Sequence, residues 1–254
     1  MKKRKMMWIA FIFAICTFST TVFAHTATRS AYEETGHVIW EVKTKEKLVA
    51  ITFDDGPHPI FTPQILDILA KYNAKATFFV AGNKVIRFPE VLKRQVKEGH
   101  EIANHTYNHI YNRNIKEATL TAELEQTDEL IQKTIGIKPT LYRPVGGLYN
   151  DLIINTAVKN GKLVILWSWK MDPKDWRNTA ASQISSIITS DVQQGNIILL
   201  HDWHGTEDSR VSQTVKSLES IMKYLDDNGY KCVTVSELLY HSSKKMPEIL
   251  DPAS

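Results

Sequence analysis

An apolar run that stops abruptly on two adjacent carboxylates constrains this chain more than any other stretch. Residues 48–53 read LVAITF, Asp54 and Asp55 follow at once, and Gly56-Pro57 then forces a turn. The pattern describes a buried strand that delivers two acids to its C-terminal tip. Side by side near a core, two acids repel each other and lose solvation, so a cation or a basic side chain has to hold at least one of them. Those partners should lie elsewhere in the sequence, brought in by the fold.

From residue 48 onward, strand-like and helix-like runs alternate. Strand candidates are 48–53, 76–80, 100–103, 140–142, 163–168, 197–200 and 232–235; helical patterns cover 63–72, 89–98, 120–134, 151–160, 180–193 and 211–227. Residues 38–42 form a possible first strand pairing with the next one. Alternation of this kind means parallel strands joined by right-handed crossovers, in an open doubly wound sheet or a barrel. Polar residues follow five of the strand candidates: Asp54 and Asp55, His105 and His109, Arg143, Asp172 and Asp175, and His201 with Asp202. In a closed (β/α) barrel those ends share one mouth, whereas an open sheet spreads them along an edge. The expected fold is therefore α/β, a distorted or incomplete (β/α) barrel in a single catalytic domain. With 254 residues and 43% hydrophobic content, the chain can bury one core of that size.

Residues 1–24 read as a secretory signal peptide. Lys2, Lys3, Arg4 and Lys5 precede an apolar run, and Val22-Phe23-Ala24 offers small residues for cleavage. The apolar run falls short of the roughly 20 residues that a membrane span needs. A secreted or envelope-associated protein is expected. Residues 25–46 read as a linker and first strand, 47–241 as the catalytic domain and 242–254 as a frayed tail. Four of the 31 basic residues lie in the signal and no acid does, which leaves 27 against 28 acids in the remainder, a formal charge of −1. No basic excess points to nucleic acid. Only Cys232 remains beyond the signal, which excludes an internal disulfide and a cysteine-built zinc site there. No feature calls for an obligate protein partner, so a monomer is expected.

His105 and His109 stand four apart in His-Thr-Tyr-Asn-His, which on one helical turn places both imidazoles on the same side. Asp55 completes three protein ligands. Two imidazoles and one carboxylate, with a fourth position left to water, are the donor set of a catalytic zinc. One divalent metal is expected, zinc first, with cobalt, nickel or manganese as alternatives.

Five motifs in order make the reading specific: Thr52-Phe53-Asp54-Asp55-Gly56-Pro57, His105 to His109, Arg143-Pro144, Asp172-Pro173-Lys174-Asp175-Trp176 and Leu199-Leu200-His201-Asp202. Over about residues 47–240 the chain resembles the NodB-homology polysaccharide deacetylases, carbohydrate esterase family 4. The resemblance implies a divalent metal and hydrolysis of N-acetyl groups on amino sugars of peptidoglycan or chitooligosaccharide. By position, Asp54 resembles the family's general base, and Asp55, His105 and His109 its metal ligands. His201 resembles the general acid, with His204 as a rival three residues on. Asp172 resembles the residue that orients this histidine, and Arg143 the one that fixes the base. Trp176 and Leu199 would wall the acetyl pocket. The family usually has Pro, a large residue and Gly after Arg-Pro, but here Val145, Gly146 and Gly147 follow. Gly146 can still offer its N–H to an oxyanion. A wall of the groove is missing, so a wider groove is expected there. The resemblance leaves two other functions open: a glycan O-acetyl esterase, and a catalytically silent glycan-binding envelope protein. An Fe(II) oxygenase shares the ligand set but uses a double-stranded β-helix, which the helical segments contradict.

Overall fold

In the computed structural model, residues 28–177 and 179–242 are described. The expected signal peptide and nearly all of the expected C-terminal tail lie outside them. Among the described residues eight strands occur: β1 (Val38–Ile39), β2 (Leu48–Asp54), β3 (Ala76–Val80), β4 (Glu101–Asn104), β5 (Leu141–Tyr142), β6 (Leu163–Ile165), β7 (Ile197–His201) and β8 (Lys231–Cys232). Seven of them run in the order β1-β6-β5-β4-β3-β2-β7, every pairing parallel, and β8 joins the start of β2. The two ends of this row approach each other through an antiparallel bridge between Glu41 and Asn196. The sheet is thus a curled, incomplete (β/α) barrel, as the alternation of elements predicts.

Strand β2 shows how the sequence positions its acids. All seven of its residues are buried, and alternate side chains take opposite faces. Val49, Ile51 and Phe53 pack outward with the helices α2 (Phe61–Lys71), α7 (Ala181–Asp191) and α8 (Gln213–Asp227). Leu48 and Ala50 face the barrel interior with Phe79, Ala103, Leu163 and Ile197. By the same period Thr52 and Asp54 point inward, above that apolar plug. The lower end is stopped by Val235, Leu238 and Leu239 of the helix Val235–Tyr240. Leu120, Leu124 and Ile131 place α5 (Glu117–Ile135) against the barrel at a helical period.

Two expectations change. Residues 38–39 pair with β6, Val38 opposite Val164, and not with β2; the N-terminal strand is used to narrow the gap between β6 and β7. The segment before it is not a loose linker, because Arg29–Glu34 is helical, capped by Thr28 and anchored by buried Tyr32. The Tyr32 hydroxyl donates to Asp151 Oδ1 at 2.5 Å, and its ring meets Tyr149 edge-on. The segment lacks an apolar period because one aromatic side chain does the anchoring.

Candidate active site

Asp55, His105 and His109 come together at the mouth of the barrel, with one ligand atom from each lying within 4.8 Å of the others. His105 Nε2 and His109 Nε2 are 3.2 and 2.9 Å from Asp55 Oδ1. These are close contacts, yet the buried Asp55 Oδ1 has no donor aligned on it. A buried acceptor left without an aligned donor between two imidazoles is an arrangement that a cation satisfies. The tautomer agrees: the Arg143 carbonyl lies 2.7 Å from His105 Nδ1 and accepts its proton, which leaves Nε2 as the donor atom for an ion. The residues therefore fit a divalent metal. Burial alone would raise the Asp55 carboxyl, but the two imidazoles beside it hold it well below the usual carboxylate range. Burial lowers the His109 imidazole, and the Asp55 charge outweighs this to raise it.

The two histidines do not share a helical turn. They stand on a loop with Thr106 and His109 at φ +69° and +56°, and Asp55 itself has φ +77°. Non-glycine residues hold this left-handed region only when their surroundings enforce it. Glu123 of α5 does so, accepting from the Tyr107 and Asn108 amides at 2.9 and 2.6 Å and from Asn108 Nδ2 at 2.7 Å. Asn104 holds the other end, accepting from Thr106 N at 2.8 Å while its own amide is anchored to Asp128. Asp128 is in turn paired with buried Lys162. Under the aspartate turn, the Asp202 carboxylate occupies the place that a Cβ on Gly56 would need. Thr62 donates to Asp202 Oδ2 at 2.5 Å, but burial still pushes this carboxyl up to about 7.

Asp54 and His201 are register partners on β2 and β7. Arg143, wholly buried, donates through Nη1 to Asp54 Oδ1 and to Thr52 Oγ1, both at 2.7 Å, and through Nε and Nη2 to the carbonyls of Ile165 and Leu166. Four acceptors fix the guanidinium, and the guanidinium fixes Asp54. The carboxylate beside His201 is Asp175 and not Asp172. Asp175 Oδ1 lies 2.8 Å from His201 Nδ1, and its Oδ2 accepts from His201 N and from Thr214 Oγ1 of α8. Asp172 turns to Lys174 instead, accepting from its backbone N at 3.0 Å and its Nζ at 2.5 Å. Burial lowers the His201 imidazole, but the charge and hydrogen bond of Asp175 outweigh it and raise it to about 10.

A cavity of about 620 Å³ unites these groups. Asp54, Asp55, His105, His109, Asp172 and His201 line it together with Gly146, Trp176 and Leu199, while His204 does not; Arg143 lies beneath, out of solvent. The space beside Gly146 is not empty. Gly146 has φ +62°, and the Tyr111 ring lies where a Cβ would project; Trp167 does the same for Gly147 at φ +66°. Tyr111 reaches in from the histidine loop and takes the place of the missing side chain. No sequence signal marks Tyr111, since a loop tyrosine has no period to give it a direction.

Residues 41–165 match the model of the polysaccharide deacetylase family. Over 211 residues, 83% of its length, the chain is 46% identical to a peptidoglycan-N-acetylglucosamine deacetylase of Bacillus cereus, 97% of which is covered. It is 38% identical over 78% of its length to the peptidoglycan-N-acetylmuramic acid deacetylase PdaC of Bacillus subtilis, and spans 40% of that protein. Among solved structures, the Bc1960 peptidoglycan N-acetylglucosamine deacetylase matches with a TM-score of 0.78 at 30% identity, over 86% of this chain and 100% of that one.

Proposed function

The chain belongs to the polysaccharide deacetylase family, and from that premise we propose that it is a secreted metal-dependent hydrolase removing N-acetyl groups from the amino sugars of peptidoglycan or a chitin-like glycan. The observation that carries this reading is the convergence of the Asp55, His105 and His109 donor atoms on one point, between Asp54 and His201 in a single cavity. Zinc suits two imidazoles and a carboxylate. A bound divalent ion would supply a Lewis acid for the acetamide oxygen and a more acidic water. Asp54, oriented by Arg143, takes the proton of the attacking water. His201, kept cationic by Asp175, gives a proton to the departing sugar nitrogen, since an amide leaves poorly without one. Gly146 offers its backbone N–H to the developing oxyanion, and Trp176 and Leu199 wall the acetyl group. Peptidoglycan is favoured as substrate by the relatives' activities, and export by the signal-like residues 1–24.

The test is product analysis with purified, metal-loaded protein on peptidoglycan and on chitooligosaccharides. Acetate released with an equal amount of free amine supports the proposal. Acetate released with free hydroxyl and no amine would make it an O-acetyl esterase, and glycan binding with no acetate would make it a silent binding protein.

The loop at Gly146 supplies a further expectation. Gly146→Tyr is expected to lower kcat/KM on chitooligosaccharide and on cell-wall glycan alike, about 10-fold or more, because the new side chain meets both a left-handed backbone and the Tyr111 ring. Parallel kinetics on the two substrates check it. A gain on either one would mean that the loop has room after all.

A further inference from the structure

A second groove, of about 460 Å³, opens beside the catalytic cavity, and the two share Trp167, Asp172 and Lys174 as a common wall. Its face carries Trp169, which at 80% exposure is the most exposed of the large apolar side chains among the described residues. The exposure does not come from a slack loop. Ser168 and Met171, on either side of it, are 1% and 0% exposed. Ser168 Oγ donates to the Trp40 carbonyl and accepts from Ile197 N, both at 2.9 Å, and the Met171 carbonyl accepts from Leu199 N at 2.9 Å. Lys170, the next residue, holds φ +66° and donates to Asp191 of α7 at 2.8 Å. The backbone is thus tied to β7 on both sides of an indole that it holds out in water. An exposed apolar ring on a fixed, hydrogen-bonded support is the mark of a recognition surface.

We propose that this groove is a second glycan subsite, in which the ring of Trp169 stacks on a pyranose two or more units along the chain from the sugar whose acetamide occupies the catalytic cavity. The proposal rests on the deacetylase reading for the identity of that chain. A pyranose presents a flat C–H face and a rim of equatorial hydroxyls, which suits an indole bordered by Asp172 and Lys174. Because the groove is open and borders the cavity along Trp167, Asp172 and Lys174, it fits a polymer that passes from one to the other over that shared rim. Tyr149, set edge-on to Trp40 with ring centroids 5.4 Å apart, adds a second aromatic side chain to the lining.

The experiment compares the wild type, Trp169→Ala and Trp169→Phe, metal-loaded, on the dimer and the hexamer of N-acetylglucosamine. Trp169→Ala is expected to lower kcat/KM on the hexamer about 3- to 10-fold, chiefly through KM. The dimer should be unaffected, and Phe should restore most of the loss. Equal losses on both lengths, or none on either, overturn the subsite. Indifference to sugar with a change in self-association by sedimentation would give the face to a second copy of the chain, and overturns it too. Calorimetric titration of the hexamer into Asp54→Asn protein, with and without Trp169→Ala, reads affinity without turnover. Affinity that depends on Trp169, together with a wild type that releases no acetate, would keep the subsite and remove the deacetylase reading. Turnover with an affinity indifferent to Trp169 would do the reverse.

Discussion

Asp54→Asn is expected to lower kcat on an acetylated glycan by at least about 10²-fold while the protein keeps its metal. The amide has the shape of the carboxylate, and its oxygen can still accept from Arg143 Nη1, now 2.7 Å from Asp54 Oδ1. It cannot take a proton from water. On the proposed assignment Asp55→Ala removes a ligand instead, so metal content and activity should fall together. The pair of variants therefore separates base from ligand on two neighbouring residues. Stability gives a second readout. Arg143 is fully buried, and in Asp54→Asn its charge has lost its counterion, a change that costs about 3 to 5 kcal/mol when nothing compensates. Here Thr52 and two backbone carbonyls still accept from the guanidinium, so the melting temperature should fall without loss of the fold. Elemental analysis, melting curves and kinetics on the same preparations check all three expectations. Metal lost from Asp54→Asn as completely as from Asp55→Ala would exchange the two assignments.

The sequence places the aspartate pair well because a buried strand leaves its acids only one place to go, the tip. It places His105 and His109 for the same reason, although the loop that carries them is shaped by residues far away. Glu123 was legible in principle, since it stands three positions after Leu120 on the buried face of α5, where an acid needs a partner. Asp128, four after Leu124, carries the same signal. The choice between Asp172 and Asp175 was not legible. Both lie in one short irregular segment after β6, and what selects Asp175 is Thr214, almost 40 positions on in α8. The pairing of β1 was hidden likewise, because neighbours in sequence usually pair and here the first strand serves to narrow the barrel's open side. The groove at Gly146 misleads for a related reason: an absent side chain shows in the sequence, but a tyrosine arriving from another loop does not.

Asp175→Asn is expected to lower kcat/KM by about 10²- to 10⁴-fold at neutral pH and to move the alkaline limb of the pH profile downward. In the proposed mechanism only protonated His201 can give a proton to the leaving nitrogen, so activity should fall as pH rises through its pKa. Burial pulls that pKa down, and Asp175, with Asp55 and Asp54 adding to it, lifts it to about 10. In the wild type the acid therefore stays charged through neutrality and is lost only in alkaline solution. With asparagine the burial remains while the largest attraction is gone, and the pKa drops toward or below the ordinary histidine value of about 6.5. Asp172→Asn is the matched control, because Asp172 accepts from Lys174 and makes no bond to His201. It should leave the alkaline limb where it is. The measurement is kcat/KM against pH at saturating metal for the three proteins. A limb that moved in Asp172→Asn and stayed fixed in Asp175→Asn would restore the sequence-based assignment, since a hydrogen bond that does not shift its histidine's titration is not holding the proton there.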